Sequence, residues 1–101
     1  MGSRRIRCQD VLAILRKNSD DFKTLYGVTK IGVFGSVARD QATPGSDVDI
    51  VVEMDVPDLF YLVHIKQKLE SDLHCSVDIV HYRKRMNAFL KNEINREAVY
   101  A

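Results

Sequence analysis

Residues 35 to 52 constrain this chain more than any other stretch. They read Gly-Ser-Val-Ala-Arg-Asp-Gln-Ala-Thr-Pro-Gly-Ser-Asp-Val-Asp-Ile-Val-Val. A Gly-Ser turn follows the apolar run Val28 to Phe34, and further on Ser46 precedes two aspartates at alternate positions, Asp47 and Asp49. Those aspartates open a second apolar strand, Asp47 to Met54, and Asp78 sits inside a third, Val77-Asp78-Ile79-Val80. Aspartate is rare inside a sheet unless it is paired or binds a metal. The pattern therefore predicts strands whose carboxylates serve chemistry, with a divalent metal carrying a nucleotide as their cation.

The rest of the chain supplies the frame. Ile6, Val11, Leu12, Ile14 and Leu15 recur at helical spacing, Asn18-Ser19-Asp20-Asp21 offers a cap, and Phe22, Leu25 and Tyr26 continue the pattern. One or two helices up to Tyr26, ended by Gly27, are expected. Val37 to Asp40 reads as a short helical turn and Thr43-Pro44-Gly45 as a turn. Asp58 is placed to cap a helix that runs to about Leu73, on the apolar side chains Leu59, Leu62, Val63, Ile65 and Leu69. Ser76 to His81 reads as a strand, and Met86 to Ala101 as mostly helical, with Ala88, Phe89, Ile94 and Val99 on its apolar side. The order α-β-(α)-β-α-β-α predicts a small two- or three-layer α/β domain.

A length of 101 residues fits one domain, residues 1–101, and leaves no room for a separate substrate domain. The formal charge of +1 gives no general pull toward nucleic acid, and direct nucleic-acid binding is not expected. Arg4-Arg5-Ile6-Arg7 and Arg83-Lys84-Arg85 read as solvated faces. No apolar run approaches the roughly 20 residues of a membrane span, and the start shows no secretory signal. Gly2 does not make a myristoylation site, because position 6 is Ile. Cys8 and Cys75 read as free thiols, and the expected compartment is a reducing cytoplasm. His64 reads as a helix-surface residue, and His74, Cys75 and His81 match no zinc spacing. The four tyrosines read as core or interface residues.

In a strand, side chains two apart project to one side, so Asp47 and Asp49 share a face with Cα atoms roughly 6.5–7 Å apart. Asp78 joins them if its strand is adjacent. Two unit charges about 4 Å apart repel by about 4 kcal/mol at an effective dielectric of 20, so three carboxylates call for a cation. Oxygen ligands without His or Cys favour Mg²⁺, or Mn²⁺, over zinc. Gly35 allows a close backbone approach, and Ser36 and Ser46 bring hydroxyls that suit a phosphate. The kit is that of phosphoryl or nucleotidyl transfer, with a third carboxylate to orient or deprotonate the attacking hydroxyl.

Gly35-Ser36, then Ser46-Asp47-Val48-Asp49, then Asp78, resemble the nucleotidyltransferase superfamily that includes DNA polymerase beta and aminoglycoside nucleotidyltransferases. The short length, the Gly-Ser-x-x-Arg form with Arg39, and the ending Arg96-Glu97-Ala98-Val99-Tyr100 resemble its minimal branch, the MNT-type antitoxins found beside HEPN-domain toxins. The resemblance covers most of residues 28 to 101. It implies a small mixed β-sheet flanked by helices. It implies Asp47 and Asp49 as metal ligands, Asp78 as third ligand and candidate base, and Gly35 and Ser36, with Ser46, as the triphosphate cradle. For Arg39 both a phosphate contact and a brace for the active-site loop stay open. The implied activity is transfer of AMP from ATP to a tyrosine of the partner toxin, with homo- or hetero-oligomers open. The rivals are an antitoxin that neutralises by masking alone and an enzyme acting on a small molecule such as an aminoglycoside.

Overall fold

A computed structural model describes residues 6–43 and 45–101 of the chain. The basic pair Arg4-Arg5, Gly2 and Pro44 of the expected turn lie outside the described residues. The elements run α1 (Cys8–Tyr26), β1 (Val28–Phe34), α2 (Gly35–Ala38), β2 (Val48–Met54), α3 (Leu59–Leu73), β3 (Val77–His81), α4 (Ala88–Glu97) and β4 (Val99–Tyr100).

The first of these is one helix, with no break at Asn18-Ser19-Asp20-Asp21. Asn18 does not cap anything. It is buried, and its amide donates to the Ile14 carbonyl at 2.9 Å and to Asp72 Oδ2 at 3.0 Å. An amide so satisfied at both ends costs little inside a helix, and it ties α1 to the end of α3. Asp72 also accepts from Lys68 Nζ at 3.0 Å, and the Asn18 and Lys68 donors hold its carboxyl below the usual carboxylate range. The N-terminus of α3 forms as its sequence requires, with Asp58 Oδ1 accepting from the amides of Phe60 and Tyr61.

The strands form a four-stranded mixed sheet in the order β3-β2-β1-β4. β1 runs antiparallel to β2 and β4, and β2 runs parallel to β3. The two faces of the sheet differ. Val33, Val48, Ile50 and Val52 face α1 and α3 and pack with Val11, Leu15, Phe22, Ile65 and Leu69 into the main core. Phe34 and Val51 face the other way and pack with Ile94 of α4. One helix cannot cover a whole sheet face, so the α4 side stays open beyond it.

The last segment corrects the expectation of a helix to Ala101. Ala98 adopts extended backbone (φ −64, ψ 136), and Val99 and Tyr100 pair with Val33 and Gly32. Val99 therefore leaves the apolar side of α4 and joins the sheet. A β-branched and an aromatic residue after the helix end suit a strand better than another turn. Gly32 makes room for it: a Cβ there would lie 2.7 Å from the Val99 carbonyl oxygen. Tyr100 lies under Lys30, whose Nζ stands 4.0 Å from the ring centroid. Among the described residues no helix is long and apolar enough to cross a membrane. Cys8 and Cys75 are free and half-buried.

Candidate active site

The parallel pairing of β2 with β3 sets Asp49 beside Asp78. In-register neighbours on adjacent strands project to the same side, about 5 Å apart at the backbone. The side is fixed by the core: Ile50 is buried among α1 and α3, so Asp49 points toward α4. Asp47 and Asp78 are exposed and Asp49 is half-buried. They stand at one end of the sheet, at the open margin of the face that α4 only partly covers.

Gly35 closes the site from the other side. Phe34, the last residue of β1, pairs with Asp49, and Gly35 follows with φ +74. A side chain there would have to occupy the place of the Asp49 carboxylate: a Cβ would overlap Asp49 Oδ2 and lie 3.2 Å from its Cγ. Both the left-handed backbone and the lack of space demand glycine. Ser36 is half-exposed on the next position, within the turn α2. The backbone of this turn is held by the Arg39 amide donating to the Gly35 carbonyl at 3.2 Å and the Gln41 amide donating to the Ser36 carbonyl at 2.8 Å.

Charge accumulates on Asp49. Its pKa rises from 3.8 to about 6, first through burial and then through Asp78, Glu93 and Asp47, while Arg39 opposes the rise. Glu93 was not foreseen from the sequence. It belongs to α4, one turn before Glu97, and an i,i+4 acidic pair on a helix that packs on the aspartate face was the signal available. A carboxylate raised by burial and then by neighbouring carboxylates is the condition that a hard cation relieves. The donors are all oxygen, which suits Mg²⁺. Among the described residues no three acidic, His or Cys side chains are already closed into a metal-binding group. The fit rests on strand placement and on the freedom of the exposed Asp47 and Asp78 side chains.

Arg39 and Ser46 both take part in the protein's own hydrogen-bond network. Arg39 Nη1 donates to both Glu97 carboxylate oxygens at 2.7 Å, and its Nε donates to Gln41 Oε1 at 3.1 Å. The brace is the arrangement present, and it joins the turn after Gly35 to the end of α4. Ser46 Oγ accepts from the Thr43 amide at 3.0 Å and lies 3.1 Å from Thr43 Oγ1. It folds the loop that delivers Asp47 to the site. A cavity of ≈ 850 Å³ opens beside Asp47, between Ile14 of α1, Thr43 and Ser46 of this loop, and Cys75.

With this geometry in view, the family model described as "Nucleotidyltransferase domain" matches residues 15–101. The protein adenylyltransferase MntA of Thermococcus cleftensis is 32% identical over 93 residues, which cover 91% of this chain and 93% of that protein. Among solved structures, a toxin-antitoxin complex with AMP-PNP contains a chain that superposes with a TM-score of 0.69 at 25% identity, covering 94% of this chain and 72% of the other. A tri-AMPylated Shewanella oneidensis HEPN toxin in complex with MNT antitoxin contains one with a TM-score of 0.67 at 25% identity, covering 91% and 69%. The mixed sheet, the Gly-Ser turn against the paired aspartates and these matches agree: the chain belongs to the nucleotidyltransferase domain family, as an enzyme of its minimal MNT type.

Proposed function

We propose that this protein is an antitoxin that transfers AMP from ATP to a hydroxyl, most simply a tyrosine, of a HEPN-type partner toxin. The observation that supports this most directly is the contact of Gly35 with the Asp49 carboxylate, with Asp78 in register beside it. In that arrangement Asp47 and Asp49 would hold Mg²⁺, with Asp78 as a further ligand. The bound ion supplies charge neutralisation on the phosphate oxygens. Gly35 lets the triphosphate approach the backbone, and the Ser36 hydroxyl donates to a phosphate oxygen. Ser46 orders the loop that presents Asp47, and Arg39 orders the turn that presents Ser36. Asp78, exposed at the edge strand, accepts the proton of the attacking hydroxyl. A bond forms between that oxygen and the α-phosphorus, the bond to the bridging oxygen of the β-phosphate breaks, and pyrophosphate leaves.

A protein acceptor suits the fold because the aspartates lie at an open margin that α4 does not roof. A second macromolecule pressed on that face would exclude water and complete the site. The cytoplasm is the compartment that suits two free, half-buried thiols.

The test is incubation of the protein with Mg²⁺, α-labelled ATP and a HEPN-type toxin from the same organism, with Asp47→Asn/Asp49→Asn in parallel. Label on the partner that vanishes with the double variant is the expected result. A tight, unlabelled complex formed by both versions would instead establish neutralisation by masking.

A further inference from the structure

The connector between β3 and α4, together with the first turn of α4, carries features that the chemistry above does not use. Residues 82 to 92 contain Arg83, Lys84, Arg85 and Lys91, and none of the chain's 14 acidic residues, in a protein whose net charge is only +1. Arg83, Lys84 and Arg85 are exposed. The cluster is not loose: Arg83 Nε donates to the Arg85 carbonyl at 3.2 Å, and Lys91 Nζ donates to the Lys84 carbonyl at 3.0 Å. Asn87 Oδ1 accepts from the Leu90 amide at 3.0 Å and fixes where α4 begins. In the middle stands Phe89, 79% exposed, more than any other large apolar side chain among the described residues.

Position gives this patch a purpose. Phe89 lies one helical turn before Glu93, whose carboxylate acts on Asp49, so the two share a helix face about 6 Å apart. The backbone of the connector continues from the strand that carries Asp78.

We propose that residues 82–91 form the docking surface for the protein substrate, and that they take an acidic surface of the partner with an apolar socket for Phe89; this rests on the protein-acceptor reading above. Aromatic and arginine side chains dominate binding energy at interfaces, and a ring held on a helix loses little freedom on docking. Surrounding cations steer an acidic partner and set its register. Nucleic acid is the poorer occupant. A single exposed ring in this patch offers no stacking series.

The experiment is titration calorimetry of the full chain with a HEPN-type toxin from the same organism, at about 50 mM and about 300 mM salt, for wild type, Phe89→Ser and the Arg83→Glu/Lys84→Glu/Arg85→Glu triple variant. A 20-nucleotide RNA is titrated in parallel. The expected result is at least tenfold weaker partner binding by each variant at low salt, with the triple variant's deficit shrinking at high salt. Label transfer at saturating partner should stay within about twofold of wild type. Wild-type binding that neither variant weakens would overturn the docking surface while leaving the proposed activity standing. RNA binding that the triple variant loses, with partner binding intact, would overturn it in favour of nucleic acid. A wild-type protein that neither binds nor labels the partner would remove the proposed function and this inference together.

Discussion

Asp78 stands in register with Asp49 across the parallel pair of strands at the edge of the sheet. Two carboxylates so placed cannot both ionise without cost. The fold accepts that cost at the end of a sheet whose middle, Ile50, Val51 and Val52, is wholly buried.

The pH dependence of stability follows from Asp49. Its folded-state pKa is raised, from 3.8 to about 6, chiefly by burial and then by its acidic neighbours. Between those two values the folded state holds a proton that the unfolded state has released, so stability falls as pH rises through this window. Asp49→Asn removes the charge. The variant is expected to melt at a higher temperature than wild type at pH 7.5, with the difference vanishing below about pH 4. Thermal denaturation across that range checks the sign. Added Mg²⁺ should raise the melting temperature of wild type at pH 7.5 and leave Asp49→Asn nearly unmoved.

Gly35→Ala places a methyl group where the Asp49 carboxylate lies, on a backbone with φ +74. The expected loss is about 1–3 kcal/mol of stability from the backbone conformation alone, together with loss of nucleotidyl transfer. Urea denaturation and the labelling assay read the two effects separately. A variant as stable and as active as wild type would refute the close contact.

The Arg39–Glu97 pair joins the turn after Gly35 to the end of α4, with Glu97 side-chain exposure only 14%. Arg39→Ala should cost about 1 kcal/mol and raise the KM for ATP severalfold, through disorder of the turn that carries Ser36. Arg39→Lys should recover little, because one ammonium cannot serve Glu97 and Gln41 together. Steady-state kinetics with ATP varied would decide this.

Ile94 is fully buried between α4 and the sheet, in a cluster whose other buried members, among the described residues, are Phe34 and Val51. Ile94→Ala should destabilise by about 2–4 kcal/mol. Amide exchange should rise first along α4 and β4, since the main core lies on the opposite face.

The aspartate-bearing strands were legible in the sequence because β2 must be apolar on both faces, which leaves Asp47 and Asp49 conspicuous at its start. Asp58 and Gly27 marked helix ends by local chemistry that tertiary packing did not override. Other features depended on contacts far apart in the chain. Nothing near Ser46 reveals that its hydroxyl folds back on Thr43, and nothing near Arg39 names Glu97 as its partner. Asn18 reads as a cap by composition, yet Asp72 makes it a buried tie. Val99 and Tyr100 read as the continuation of a helix, and their pairing with Gly32 and Val33 is visible only once β1 is in place. Glu93 acquires meaning only when α4 is packed on the sheet face that carries Asp49.

That final pairing also sets an order of events during synthesis. Among the described strands β4 is made last and lies beside β1, the first. A nascent chain can build α1, β1, β2, α3 and β3 before residues 97 to 100 emerge. Until then β1 keeps an unpaired edge, Arg39 lacks Glu97, and the turn at Gly35 and Ser36 is unbraced. The turn that carries Ser36 is thus braced only after residues 97 to 100 have folded back onto elements made well before them.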